Sequence, residues 1–317
     1  MRTLLFVAAL AAAVSVAAQT AQPGQAVRLI TGAPPGTPGD VVARIVAEGL
    51  SERLGQPVIV ENKPGAINTL ALAAVAKAQP DGHTLGILGL PSTVAPSLLG
   101  RMPYDTARDL APVRQLSWVS NVLVVRASAP FHSVAELVNA AKSRPQDLTY
   151  ASGGNGTPAH LAAALFSQRA GIALRHVPYK GVVAGVTAVL GEQVDMMIAV
   201  APAALPHIQA GRLRALATPA PTRLQALPEV PTLTELGYAV DVRDWHGVVA
   251  PAGTPRAVIA RIEAALAGAL ALATVKERLA RVGMEPAESS ADAFALHIQS
   301  ELRRWARVVT EAGIQPD

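Results

Sequence analysis

Short apolar runs alternate with helical patterns in the first part of the chain. Strands are predicted at residues 27–31, 58–60 and 84–88, separated by helices at 41–54 and 70–78. This order of strand, helix, strand, helix and strand is typical of an α/β unit with a largely parallel sheet.

A second unit of the same kind follows. Its predicted strands lie at residues 123–125, 148–151, 172–177, 194–198 and 213–218, and its helices lie at 133–143, at 159–169 and in the stretch that ends at 190. The proline-rich segment 218–231 is interpreted as a connecting loop. The sequence therefore predicts two α/β lobes.

The last part of the chain shows a different pattern. After a strand near His246, helices are predicted at residues 256–271, 275–282 and 291–312, with no strand between them. Because three helices cannot form a sheet domain alone, we expect them to pack on the first lobe.

This arrangement assigns residues 22–124 and 244–317 to lobe I and residues 125–243 to lobe II. The chain would cross between the lobes twice, near 124–126 and near 241–245. Two crossings form a double hinge, which allows a cleft between the lobes to close on a ligand.

The tripeptide Gly-Thr-Pro occurs three times, at residues 36–38, 156–158 and 253–255, each time between a strand pattern and a helix pattern. Threonine is favoured as an N-cap and proline at the first helical position, while glycine allows a sharp turn. Free amides at such helix starts favour anions, so the first two copies predict a carboxylate or phosphate site shared by the lobes. For Thr254 we favour a structural cap, and Thr37 with Asp40 predicts a capping box.

Composition narrows the function further. The chain has 317 residues, 50% of them hydrophobic and only 3% aromatic, with a net charge of +4. Such a chain can fill two domain cores, and its small dispersed charge does not indicate nucleic-acid binding. There is no cysteine, and the 7 histidines lack metal-ligand spacing, so neither a metal nor another cofactor is predicted.

Residues 1–18 are interpreted as a secretory signal. Arg2 precedes the apolar run 4–16, and Val16-Ala17-Ala18 forms a cleavage site of small residues. A membrane anchor is the alternative, but this run is shorter than the ~20 residues that span a bilayer. We expect an exported, periplasmic protein.

Two enzyme classes can be tested against the sequence. Residues 154–159 match the dinucleotide-binding pattern G-x-G-x-x-A, but no acidic residue follows between Gly153 and Gly191 to hold a ribose. A serine hydrolase is disfavoured because G-x-S-x-G is absent and no Ser-His-Asp set is evident. We therefore predict no catalytic activity.

Seven short motifs match a known family in order along the chain: Ala33-Pro34-Pro35-Gly36 with Asp40, Asn62-Lys63-Pro64-Gly65-Ala66, Pro80-Asp81-Gly82-His83-Thr84, Gly156-Thr157-Pro158, Val177-Pro178-Tyr179-Lys180-Gly181, Gly191-Glu192-Gln193-Val194-Asp195 and Ala250-Pro251-Ala252-Gly253-Thr254-Pro255. In these motifs the chain resembles the Bug receptors, the extracytoplasmic solute-binding components of tripartite tricarboxylate transporters. The resemblance implies a Venus-flytrap periplasmic binding protein that captures a small carboxylate or related compound.

The resemblance also implies where the ligand binds. Backbone amides and bridging water would hold the acid group in the loop after the first strand and in the matching loop of lobe II. The predicted ligand-binding residues are Pro34, Pro35, Gly36, Thr37, Ser92, Gly153, Gly154, Asn155, Gly156, Thr157, Pro178, Tyr179, Lys180 and Asp195. For Lys180 and Ser92 the alternative is simple exposure to solvent, and for Asp195 it is a turn at the end of a strand.

The expected partners are a small organic anion and either the permease subunits of a transporter or a membrane sensor, with the receptor acting as a monomer. The chain departs from the family pattern at Thr37 and at Ile67-Asn68, where relatives place glycines, and at Val182-Val183. The run 198–201 is also apolar where relatives place a polar side chain. A less polar ligand tail is therefore expected in lobe II.

Overall fold

The computed structural model describes residues 25–311 and 313–314, so the predicted secretory signal lies outside the described residues. The chain order of elements is β1 (Val27–Thr31), α1 (Pro38–Leu54), β2 (Val58–Asn62), α2 (Thr69–Ala76), β3 (Thr84–Gly89), α3 (Leu90–Leu99), β4 (Leu110–Val119), β5 (Asn121–Arg126), α4 (Val134–Ser143), β6 (Thr149–Ser152), α5 (Pro158–Ala170), β7 (Arg175–Pro178), α6 (Val182–Leu190), β8 (Met196–Val200), α7 (Ala201–Gln209), β9 (Leu213–Ala217), β10 (Asp244–Pro251), α8 (Arg256–Ala271), α9 (Ala273–Arg281), β11 (Met284–Pro286) and α10 (Ala291–Glu311).

The strands form two sheets, which confirms the predicted two-part α/β fold. The first sheet has the order β11-β4-β10-β3-β1-β2, and the second has the order β7-β6-β8-β5-β9. In the first sheet β1 pairs in parallel with β2 and β3, and β10 is antiparallel to β3. In the second, β6 pairs in parallel with β7 and β8, and β5 is antiparallel to β8.

The two sheets therefore repeat one design, in which β1 and β6 occupy equivalent central positions. β10 and β5 are also equivalent, since each is the first strand after a crossing and each joins its sheet antiparallel. The carboxyl ends of the parallel strands in each sheet carry the loops that the sequence marked as binding loops.

The first change of sheet occurs earlier than predicted. β4 belongs to the first sheet and ends at Val119, while β5 belongs to the second and begins at Asn121, so Ser120 separates the sheets and the predicted boundary at 124–125 falls inside β5. The error has a simple cause, because residues 119 and 121–125 are all buried and give no change of pattern. The second change of sheet comes at β10, which begins at Asp244.

The C-terminal helices return to the first sheet. α8 packs closely on α1, where a Cβ at Gly49 would lie only 2.9 Å from Ala269 Cβ, and α10 packs on α3 and β4. Two features were not predicted: β11 lies between α9 and α10, and the end of α10 reaches lobe II, where Gln168 Nε2 donates to Glu311 Oε2 at 3.1 Å.

Three further elements, β4, α3 and α7, were missed because polar residues and prolines interrupt their apolar patterns. Among the described helices, no single one is long and apolar enough to cross a membrane. α8 and α9 reach that length and composition only together, with a bend of 72° between them.

Candidate functional site

The first two Gly-Thr-Pro copies lie at equivalent ends of the two sheets. Gly36 follows the carboxyl end of β1, and Gly156 follows the carboxyl end of β6. Ligands of open α/β sheets bind outside the carboxyl ends of parallel strands. These ends of the two sheets are therefore the candidate site.

All three copies form the same turn. The amides of Thr37, Thr157 and Thr254 donate to the carbonyl three residues earlier, at 3.2, 3.4 and 3.3 Å. The preceding glycines have φ of 80°, 71° and 82°, as the third position of a type II turn requires. We call these the Gly36, Gly156 and Gly253 turns.

Contrary to the prediction, the threonine hydroxyls do not cap the helices. Each one donates at 2.7 Å to the same carbonyl as its own amide, on Pro34, Gly154 and Pro251 respectively. Thr37 and Thr157 occupy N-cap positions without a side-chain cap bond, and the N-cap of α8 is Pro255 instead of Thr254. The hydroxyl tightens the turn and leaves the helix amides for other acceptors.

The Gly253 turn lies away from the candidate site. It follows the carboxyl end of β10. Because β10 runs antiparallel to β3, this end lies beside the amino end of β3, on the side of the sheet away from the candidate site. The structural role favoured for Thr254 agrees with this position, although the bond it makes is within the turn.

A buried carboxylate braces the Gly36 turn. The Gly36 amide donates to Asp40 Oδ2 at 2.8 Å, and Asn62 Nδ2 donates to Asp40 Oδ1 at 2.8 Å and to the Ala33 carbonyl at 2.9 Å. Arg44 lies 2.9 Å from Asp40 in an ion pair. Burial raises the pKa of Asp40, but the hydrogen bonds from Arg44, Asn62 and Gly36 outweigh it and the pKa lies below its ordinary value. The predicted capping box of Thr37 and Asp40 does not form, because Asp40 accepts from the Gly36 amide and Thr37 makes no side-chain cap bond.

A neutral histidine braces the Gly156 turn. The Gly156 amide donates to His160 Nδ1 at 3.2 Å, four residues later, as Gly36 does to Asp40. The ring of His160 stacks on His176 at 4.0 Å between centroids. Burial and then the charge of His176 lower the pKa of His160 to about 3, which keeps Nδ1 available as an acceptor.

Ser152 supports the same turn from the end of β6. Its Oγ accepts from the Gly154 amide at 3.0 Å and lies 2.6 Å from His176 Nε2. A serine beside a histidine is found in hydrolases, but this hydroxyl is fully buried and shapes the backbone of the loop. The pair is therefore structural.

These contacts correct the predicted set of amide donors. The amides of Gly36, Thr37, Gly154, Gly156 and Thr157 are all engaged by the chain's own acceptors. Because Pro38 and Pro158 have no N–H, the next amides at the two helix starts belong to Gly39 and Ala159. First-turn amides have no partner within their own helix, so these two are candidates to face a ligand.

The other predicted residues of lobe II divide between two edges of the sheet. Pro178 ends β7 on the cleft side of the sheet, and Tyr179 and Lys180 follow it. A Cβ at Gly153 would lie 3.3 Å from the Val182 amide nitrogen. Lys180 is exposed and makes no ion pair with any described residue. Asn155 lies within the Gly156 turn itself.

Asp195 is not at the candidate site. It precedes β8, at the amino end of the strand, and its Oδ2 accepts from the Thr149 amide and hydroxyl at 2.7 and 2.8 Å. The apolar run 198–201 forms the buried carboxyl end of β8 and the first residue of α7. Sequence spacing cannot show which end of a strand faces the cleft.

Ser92 lies in the first turn of α3, directly after the carboxyl end of β3. Its side chain is fully buried, and its Oγ has no hydrogen-bond partner among the described residues. On the neighbouring strand His246 pairs with Gly89 and lies near Gly39, with Nε2 3.5 Å from a Cβ placed there. Burial lowers the pKa of His246, so a neutral imidazole lies under the start of α1.

Lobe I covers the Gly156 turn directly. A Cβ at Gly156 would lie 2.7 Å from Leu98 Cδ1 and 3.7 Å from Ile67 Cδ1.

Five residues of this site were not predicted from the sequence: Ile67, Leu98, His160, Asn62 and His246. His160 could have been found by aligning the tripeptide copies, since it occupies the position of Asp40. No cluster of three histidine, aspartate or glutamate side chains within the described ranges could hold a metal ion.

The model of the family described as "Tripartite tricarboxylate transporter family receptor" matches residues 42–314. Protein BugT of Bordetella pertussis is 37% identical over 98% of this chain and 95% of its own. The solved structure of R. palustris Rpa4515 with adipate is similar, with a TM-score of 0.83 and 32% identity, and the match covers 93% of this chain and 99% of that one. MatC of Rhodopseudomonas palustris with bound malate is also similar, with a TM-score of 0.80 and 31% identity, and the match covers 91% of this chain and 100% of that one.

Proposed function

Because the chain belongs to the family of tripartite tricarboxylate transporter receptors and is a solute-binding receptor, not an enzyme, we propose that it captures a small carboxylate between its two sheets. The observation that carries the proposal is the pair of matching turns at the carboxyl ends of β1 and β6. Each turn places the start of a helix at the cleft, and helix starts favour anions. The related proteins solved with adipate and malate support a carboxylate over other anions.

The amides that meet the ligand differ from those predicted from the sequence. The turn amides are engaged internally, so the ligand is held by Gly39 and Ala159 at the helix starts, by hydroxyl groups such as that of Ser92, and by bridging water. Each helix start contributes typically 0.3–1 kcal/mol to an anion, and about 2 kcal/mol when partly buried. Water-bridged contacts add to this at little cost in affinity.

The acidic group of the ligand is placed at lobe II. Helix α1 carries Asp40 in its first turn, whereas α5 has no acidic residue there. The positive electrostatic field at the amino end of α5 is therefore not offset by a carboxylate in its first turn. Lys180, exposed on the same lobe, adds a cation at the rim.

The family works with membrane transporter components, and we propose that the loaded receptor delivers its ligand to such a transporter from the periplasm. The predicted secretory signal at residues 1–18 accords with that location. The chain acts as a monomer in this proposal.

The test is isothermal titration of the purified protein with malate, adipate, citrate and the uncharged diamide of adipic acid. We expect at least one acid to bind and the diamide to bind far more weakly, and a ligand specific for the native state also raises the thermal midpoint. Binding of the diamide as tightly as the acid, or of none of the acids, would contradict the proposal.

A further inference from the structure

The segment after β2 has a backbone that its residues rarely adopt. Ala66, Ile67 and Asn68 have φ of 44°, 53° and 68°, so three consecutive non-glycine residues are left-handed. For a β-branched residue such as Ile67 this is an outlier. Strained backbone of this kind persists where the surrounding structure holds it, and it often marks a functional site.

Close contacts hold the segment in place. A Cβ at Gly32, at the end of β1, would lie 2.6 Å from Asn68 Cα and Asn68 Oδ1, so Asn68 packs directly on the backbone of the first sheet. The Asn68 carbonyl accepts from the Leu72 amide at 3.2 Å, which ties the segment to α2. The Ile67 side chain is therefore fixed in direction.

That direction is across the cleft. Ile67 is half-buried and packs against the core cluster that contains Leu98, and both side chains lie over Gly156 in the other lobe. Gly156 itself is buried. We call Ile67 and Leu98 the apolar wall.

We propose that the apolar wall determines ligand length. The proposal rests on the proposed function, because the ligand must lie beside the Gly156 turn. Where the wall contacts Gly156, no space remains between the lobes for ligand atoms, so the ligand chain is bounded on that side by two aliphatic groups. Removing the Ile67 side chain opens this boundary and admits a longer chain.

The test compares dissociation constants for succinate, adipate and suberate in the wild type and in the Ile67→Ala and Ile67→Gly variants. We expect the ratio of the suberate to the succinate dissociation constant to fall about tenfold in both variants, the size typical of added space for a methylene group in a pocket. Ile67→Gly also relaxes the left-handed backbone, so agreement between the two variants assigns the effect to the side chain.

Two matched controls separate the wall from general effects. Ile59→Ala makes the same change on β2, where Ile59 is 55% exposed, and Ala66→Gly relaxes the neighbouring left-handed residue, which makes no contact with Gly156. Both should keep the wild-type ratio. Thermal midpoints of all variants verify that each is folded.

The outcomes distinguish this inference from the proposed function. A wild type that binds the diacids, with a ratio that Ile67→Ala and Ile67→Gly leave unchanged, overturns the apolar wall alone. A wild type that binds none of the diacids overturns both the wall and the carboxylate receptor. A change of ratio in Ala66→Gly as large as in Ile67→Ala would assign length selection to the backbone and would also overturn the wall.

Discussion

The Gly36 and Gly156 turns share a backbone and differ in the group that braces them. Both place a glycine in the left-handed region and return its amide to a side chain four residues later. In lobe I that side chain is the carboxylate of Asp40, paired with Arg44, and in lobe II it is the neutral ring of His160. The fold fixes the shape of the loop, while the bracing residue sets the charge that an anion meets.

The largest difference between the turns should appear when each glycine becomes alanine. An alanine with a left-handed backbone conformation carries ~1–2 kcal/mol of strain at either position. Gly156→Ala also forces a Cβ to within 2.7 Å of Leu98 Cδ1, whereas nothing lies within 4 Å of a Cβ at Gly36. Overpacking costs about 1–3 kcal/mol, so Gly156→Ala should weaken ligand binding by roughly 10–100-fold.

Gly36→Ala should keep binding within about threefold, the equivalent of about 0.6 kcal/mol. Gly171→Ala, at the end of α5, is the matched control, since Gly171 has φ of 60° and no neighbour within 4 Å of an added Cβ. Titration calorimetry with the best acid of the panel measures the three variants. Equal losses in Gly36→Ala and Gly156→Ala would show that the contact between the lobes is unimportant.

Exchanging the bracing groups tests their charge. His160→Asp gives lobe II the carboxylate of lobe I without its arginine, and a negative charge at a helix start opposes a bound anion by about 1–2 kcal/mol, roughly tenfold in the dissociation constant. His160→Asn keeps an acceptor without charge and should bind nearly as the wild type does. If His160→Asp and His160→Asn bind the acid equally well, lobe II does not hold the acidic group.

Protonation of His160 and of Asp40 should destabilise the protein in different pH ranges. The folded pKa of His160 is lowered from 6.5 to about 3, so its contribution to stability is fully present above the unfolded pKa and is lost as pH falls from 6.5 towards 3. At pH 5 the loss is about 2 kcal/mol. Asp40 has a pKa below 3.8, so its contribution is also present at neutral pH but is lost only below about pH 4.

Urea unfolding at pH 7, 5 and 3 measures this difference. His160→Asn should lose less stability than the wild type between pH 7 and 5, and Asp40→Asn should lose less between pH 5 and 3. His132→Asn, at an exposed histidine, is the control. A wild-type midpoint that does not change between pH 7 and 5 would contradict the buried neutral state of His160.

Much of the fold could be predicted from residue patterns, and less of the site. The alternation of apolar runs and helices predicted two sheets, and the repeated Gly-Thr-Pro tripeptide pointed to the loops after β1 and β6. It could not show that Asp195 lies at the amino end of β8, because a pattern of buried residues has no direction relative to a cleft. It also could not show that Asp40 and His160 take the turn amides, since these bonds depend on how the chain turns.

The same limit explains why the backbone conformation of Ile67 could not be predicted. The sequence showed that Ile67 and Asn68 replace glycines of the family pattern, but not that both keep the left-handed backbone that glycine would adopt. Packing of Asn68 on Gly32 holds that backbone, and this contact joins residues far apart in the sequence. Local propensity alone therefore predicts the wrong conformation here.

The smallest expected effect concerns the threonine hydroxyls, which are alike in all three turns. Thr254→Val removes one buried hydrogen bond from a turn outside the cleft and should lower the free energy of unfolding by about 1 kcal/mol without changing ligand binding. Thr157→Val removes the same bond at the cleft, so it should lower stability by a similar amount and also weaken binding a fewfold, because the turn that presents the α5 amides becomes looser. Urea unfolding and calorimetry on the pair separate the two roles. A loss of affinity in Thr254→Val as large as in Thr157→Val would mean that the tripeptide acts through overall stability, and the special position of the Gly156 turn would no longer be supported.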